Sequence, residues 1–373
     1  MIKPLTSLRF IFAFMVFLSH LDWMPASEKM FYKIFDNLLS KGYIGVSYFF
    51  VLSGFILTLN YKKRLLKKKV STRKFWVGRI VRIYPLHLFT LLLSLPIFIS
   101  GILEEPSSWL TGFLSNAFLL QSFIPAEDIY FGFNAVSWSI SNELFYYLLF
   151  PGLLYLLYKK KNLVFYFSIF IGIMLLAMWI SKPEQYIFLF AINPLFRISD
   201  FIMGMLLYRI YETKIFSKYF ENARTATLLE VGAIALFFIF FGFHSFIPVP
   251  LRISMFFWLP IMALIFILAH QAGRISYLLS HKRLILLGEI SFSFYMLHGL
   301  IMRYILALDR RIKLVEQEYV LMLISFLAVL IASYYSYNYL ERPANVYLKK
   351  KLSPGQVPLT PTLEKIAAKK NIT

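Results

Sequence analysis

Apolar runs, each close to the length of a bilayer crossing, recur along this chain and are separated by short polar or basic stretches. They fall at residues 7–24, 42–61, 83–103, 138–158, 163–181, 185–208, 226–243, 253–270, 284–304 and 319–340. About 20 predominantly apolar residues in helical form span the hydrocarbon core. Only helices and closed barrels satisfy every backbone polar group in lipid. The pattern therefore predicts an all-α, polytopic membrane protein of about ten transmembrane helices.

Composition and charge sharpen this picture. The 373 residues are 59% hydrophobic with a mean hydropathy of +0.67, and 40 Phe and 24 Tyr suit lipid-facing and interfacial positions. Residues 62–82 hold ten basic side chains and no acidic one, which places that connection in the cytoplasm. With the other spans alternating, the basic stretches at 159–161, 209–224, 274–283 and from Arg342 onward fall on the same side, and so do both termini. The net charge of +20 then has a topological cause, and no nucleic-acid partner is expected.

The connection 104–137 is different. It carries Pro106, Pro125, four acidic residues and no Lys or Arg, and it predicts an outer-face loop that re-enters the membrane. The alternative is an eleventh helix at 109–124, which would break the parity and move Lys159–Lys161 outside. Residues 1–345 form one integral-membrane domain, and 346–373, polar with Pro354, Pro358 and Pro361, a flexible cytoplasmic tail. The first apolar run lacks a small-residue cleavage site and is expected to be retained as a helix.

Polar groups inside such spans are costly and mark candidate chemistry. Arg9 and His20 lie eleven residues apart, on one helical face and ~16 Å apart along the axis. Glu143 lies ~8 Å below the outer edge of its span, at the depth expected for His20. A histidine and a carboxylate at one depth can act as a base and its orienting partner, or form a structural polar cluster. Arg79 and Arg82 lie one turn apart at the cytoplasmic mouth of the third span. Their guanidinium groups suit the diphosphate of an acyl-coenzyme A, or equally lipid headgroups or topology. Arg197 and Asp200 pair structurally. Ser53-Gly54 permits close helix approach, while His298 and Glu289 face either a cavity or the packed interior. His87, His244, His270 and His281 sit near span ends and receive no catalytic role.

The absence of cysteine excludes thiol catalysis and Cys-based metal sites. No GxxxxGK[ST], GxSxG or HExxH motif occurs, which counts against P-loop ATPases, ordinary serine hydrolases and common zinc proteases. No metal is expected.

Seven motifs occur in order between residues 3 and 345. The first three are Leu8-Arg9 with His20, Gly45-Val46-Ser47-Tyr48-Phe49-Phe50-Val51-Leu52-Ser53-Gly54-Phe55, and Arg79-Ile80-Val81-Arg82-Ile83-Tyr84-Pro85. Then come Trp138-Ser139 with Glu143, Phe145-Tyr146 and Pro151. The last three are Leu287-Gly288-Glu289-Ile290-Ser291, Leu297-His298 and Tyr339-Leu340-Glu341-Arg342-Pro343. Together they resemble acyltransferase family 3, the multi-spanning O-acyltransferases.

That resemblance implies an acyl-coenzyme A donor, most often acetyl-coenzyme A, used from the cytoplasm at the inner or plasma membrane. It also implies an acceptor hydroxyl on a glycan or lipid-linked glycan. By position it implies Arg9, His20 and Glu143 as catalytic residues and Arg79 and Arg82 as donor-binding residues. Trp138, Ser139, Ser53 and His298 become candidates for substrate contact. The expected mechanism has His20 deprotonating the acceptor while Glu143 orients it. The rival class is a transporter or flippase whose buried charges line a path, although no inverted repeat is visible.

Overall fold

A computed structural model describes residues 2–21, 41–159, 162–312 and 318–352. Every regular element among them is helical. The principal helices are α1 (Lys3–Ser19), α2 (Tyr43–Leu66), α3 (Thr72–Phe98), α4 (Pro106–Ala117), α5 (Trp138–Lys159) and α6 (Leu163–Ile180). They continue as α7 (Pro194–Glu212), α8 (Ala223–Phe243), α9 (Trp258–Ala269), α10 (Lys282–Ile312), α11 (Glu318–Ser336) and α12 (Arg342–Leu352).

Each of the ten apolar runs is mainly helical over its described residues. Seven helical stretches are long and apolar enough to cross a membrane, and the pair Pro183–Ile192 and Pro194–Glu212, bent by 44°, makes an eighth. The remaining two runs are the shorter helices α1 and α6. Outward-facing apolar residues such as Phe165, Ile173, Trp179 and Phe238 are more than half exposed, as a lipid-facing surface requires.

Helix ends follow local chemistry. Pro4 opens α1, where its missing N–H costs nothing. Ser71, Asn193 and Asn222 cap α3, α7 and α8, each side chain accepting a backbone N–H of the first turn. The basic hairpin after α2 reverses through Lys68, whose φ of 51° lies in the left-handed region.

Two helix pairs pack backbone against backbone. A Cβ on Gly54 would lie 2.0 Å from the Phe201 carbonyl oxygen, and one on Gly204 would lie 1.9 Å from that of Val51. These small residues seat α2 on α7 as membrane helices require, where van der Waals packing replaces the hydrophobic drive. Gly288 does the same for α10 on α1, with Thr6 O at 1.9 Å.

The 104–137 connection is a built structure. Its longest helix, α4, has 12 residues, ~18 Å, too short to cross. Buried amides and hydroxyls tie it down. Asn116 Nδ2 donates to Ile129 O at 3.2 Å, Asn134 Nδ2 to Met296 O at 2.9 Å, and Ser141 Oγ to Leu119 O at 2.5 Å. His87 corrects the expectation of a span-end position. Because α3 begins at Thr72, His87 is mid-helix and buried, and its Nε2 meets Asn116 O at 2.9 Å.

The expected pair forms between Arg197 and Asp200 at 2.8 Å. Arg197 also donates to Ile253 O and Ser47 Oγ, and Trp258 Nε1 donates to Asp200, so the group locks α2, α7 and α9 together. Beyond residue 345 the chain continues in α12 to Leu352; residues 353–373 of the expected flexible tail lie outside the described residues.

Candidate active site

A cavity of about 360 Å³ opens between α1, α2, α3, α5 and α10, within the usual range for ligand pockets. Arg9 enters it from α1, Ser53 from α2, Arg79 and Arg82 from α3, and Ser139, Glu143 and Tyr147 from α5. Glu289, Ser291 and Tyr295 come from α10. Tyr337 and Glu341 project from a π-helical turn, Tyr337–Glu341, between α11 and α12. Such turns widen a helix and are frequent at functional sites.

The charge arrangement is unusual for a protein interior. Three guanidinium groups share the space with three carboxylates, yet none of the three arginines forms a direct ion pair among the described residues. Arg9 lies in Coulombic range of Arg82, Glu341 and Glu143, and Arg82 of Glu341, Tyr147 and Glu143. Arg79 is buried, donates to Tyr61 Oη at 3.3 Å, and leaves its Nε without a partner. A buried donor lacking a partner is rare and expensive.

Glu143 is held by Ser53 Oγ, which donates to Oε1 at 3.2 Å, and by Tyr147 Oη. Glu341 accepts from Ser293 Oγ at 2.9 Å. At the far end of the cavity Ser139 Oγ and Tyr295 Oη lie 2.8 Å apart. One turn beyond Tyr295 on α10 stands His298, buried, its ring 5.8 Å from that of Tyr295.

His20, at the C-terminal end of α1, meets His298 and not Glu143. The two imidazole rings are 5.0 Å apart, with His298 Nε2 3.5 Å from His20 Nδ1. His20 Nδ1 also lies 2.8 Å from Val16 O, and His298 Nδ1 lies 2.6 Å from Tyr295 O. A carbonyl only accepts, so both Nδ1 atoms carry protons. His298 Nε2 then faces His20 as an acceptor, and His20 Nε2 is the nitrogen whose lone pair can take a proton.

The expected His20–Glu143 dyad is therefore corrected: Glu143 shares the level of Arg9, whereas His20 lies about three turns farther along α1. The count along each helix failed because His20 ends α1 beside His298 of α10, while Glu143 lies in the second turn of α5 beside Ser53 of α2. Ser53 and Ser139 line the cavity, whereas Trp138, His20 and His298 are not among its lining residues, and Trp138 packs toward Phe50 at 6.5 Å between ring centroids. Tyr61, Tyr147, Tyr295 and Tyr337 were missed, since tyrosines are too common here for any one to stand out. Glu341 was visible only as part of a motif; its burial depends on the π turn.

These features define a polytopic membrane protein with a charged shaft between its helices. Residues 3–347 match the family model of an acyltransferase domain, and the chain belongs to that family, acyltransferase family 3. It is 29% identical over 327 residues to the acyltransferase MdmB of Streptomyces mycarofaciens, covering 81% of this chain and 79% of that protein. It is 25% identical over 291 residues to the O-acetyltransferase OatA of Staphylococcus aureus, covering 72% of this chain and 47% of that one. No solved structure matches the chain. The transporter alternative gives way to a membrane O-acyltransferase.

Proposed function

We propose that this enzyme moves an acetyl group from cytoplasmic acetyl-coenzyme A to a hydroxyl of a cell-surface or exported glycan, at the inner or plasma membrane. The observation that carries the donor assignment is the cluster of Arg9, Arg79 and Arg82 in one cavity without direct counter-ions. Guanidinium groups bind phosphate with paired hydrogen bonds, and the orphaned Arg79 Nε fits such a ligand. The acetyl group is supported by the similarity to OatA, an O-acetyltransferase. The glycan acceptor is supported by the resemblance alone.

In this mechanism Arg79 and Arg82 hold the donor diphosphate at the basic end, and the thioester arm runs past Arg9 and Glu143 toward Ser139 and Tyr295. His20 Nε2 takes the proton of the acceptor hydroxyl as its oxygen attacks the thioester carbonyl. The C–S bond breaks, and the imidazolium returns the proton to the departing thiolate. His298 Nε2 and Val16 O stabilise the charged ring through His20 Nδ1–H, the task first expected of Glu143. Glu143, held by Ser53 and Tyr147, balances the arginines beside the arm.

The test is transfer of labelled acetyl from acetyl-coenzyme A in membranes expressing His20→Ala. General-base loss lowers transfer by roughly 10²–10⁴-fold, with normal insertion. Unchanged acetylation of the surface polysaccharide, measured by mass spectrometry, overturns the assignment.

A further inference from the structure

Helix α1 borders two cavities. One face carries Arg9 into the charged shaft. Another borders a second cavity of about 390 Å³, walled by Leu8, Ile11, Met15 and Leu18 of α1, Phe238 of α8 and Leu268 of α9. Every lining side chain but one is apolar, and the exception is Lys41. Ile11 is 45% exposed and Phe238 61%, so this slot opens sideways toward lipid.

Its two ends differ. At one, the short helix Arg274–Leu279 supplies Ile275 and Leu279 and closes the slot. That floor is fixed by buried polar contacts. Glu230 accepts the backbone N–H of Ile275 at 2.9 Å and of Ser276 at 3.1 Å, and Ser7 Oγ of α1 donates to Leu279 O at 2.5 Å. At the other end stands Lys41. A Cβ on the adjacent Gly42 would lie 1.9 Å from Ser19 Oγ, which sets Lys41 beside the last turn of α1. Its Nζ lies 4.4 Å from the Phe241 ring centroid, and the residue is 6% exposed.

The wall from Leu8 to Leu18 rises ~15 Å, half of the ~30 Å hydrocarbon core. With the basic hairpin after α2 inside, Lys41 lies at the outer end. The slot then has the depth of one leaflet, with its only charge at headgroup level. An apolar slot of that depth complements an acyl chain, and a cation at its interfacial end complements a phosphate. A covered ammonium is costly to keep charged. Its three N–H donors can serve several acceptors at once, so each anionic oxygen that reaches it is stabilising.

We propose that this slot is a phospholipid site: one acyl chain lies along α1 and α8, and the phosphate of an anionic headgroup rests against Lys41. The site is independent of the donor and the acceptor. It supports α1, the helix that presents Arg9, and plays no part in acyl transfer.

The experiment titrates the purified, delipidated full chain in neutral detergent with phosphatidylglycerol or phosphatidylcholine of the same chains, and weighs the complexes intact by native mass spectrometry. Wild-type protein should bind phosphatidylglycerol about five-fold tighter than phosphatidylcholine, whose choline cation offsets its phosphate. Lys41→Gln should bring that ratio near one, and Lys41→Arg should keep it. Ile11→Trp, which fills the slot from its lipid side, should weaken both lipids alike. Ile173→Trp, at a position 54% exposed on α6, should weaken neither. A ratio unchanged in Lys41→Gln overturns the proposal, as does lipid binding unchanged in Ile11→Trp. A doubled mass without lipid that Ile11→Trp abolishes also overturns it, and assigns the face to a second copy of the chain. Should Lys41→Gln not fold, Ile11→Trp, at a partly exposed position, still decides the question.

Discussion

His20 and His298 illustrate how much a single contact decides. Each was visible as a polar residue in an apolar run, but their juxtaposition brings together residues 278 positions apart. The proposed roles separate by kinetics. Replacing His298 with Ala removes one of the two acceptors at His20 Nδ1–H and leaves Val16 O, so kcat should fall roughly 10–10²-fold with the donor KM unchanged. His298→Gln, whose amide oxygen can accept the same hydrogen bond, should restore part of that loss. Equal kcat for Ala and Gln variants and wild type would remove His298 from the mechanism. Arg9, Arg79, Arg82 and Glu143 were legible in the sequence because charges in lipid-spanning helices are rare. Their neighbours Tyr147, Tyr295 and Glu341 were not, since aromatic residues fill this chain and Glu341 lies at a helix end.

At the scale of elements, glycine placement decides which helices touch. Gly54 and Gly204 let α2 and α7 approach so closely that a methyl group on either meets backbone. Backbone cannot swing aside as a side chain can. Gly54→Ala should therefore separate the helices and cost about 1–3 kcal/mol, read as a lowered unfolding midpoint of the purified protein. Gly232, whose Cβ direction is open, should accept Ala without loss. The Ser53-Gly54 pair announced close approach in the sequence, but the partner helix was not stated there. The 104–137 connection shows the same division. Its acidic, proline-bearing composition marked it as distinct, whereas the anchoring of Asn116, Asn134 and Ser141 to backbone carbonyls is a product of folding.

For the molecule as a whole, orientation is the testable quantity. Helix α3, with 27 residues, is ~40 Å long and separates the basic hairpin from the acidic connection. The chain has no cysteine, so a single introduced thiol reports its own side. Glu105→Cys should react with an impermeant maleimide in intact cells, and Lys69→Cys only after permeabilisation; the reverse pattern would invert the topology. The number of apolar runs, their helical state and the family were already contained in the order of residues, because a bilayer imposes one length and one backbone solution on every crossing. What folding alone decided was which polar groups share a level. Helix tilt, a π turn and glycine contacts set that level, and no count of residues along one helix specifies its height against another.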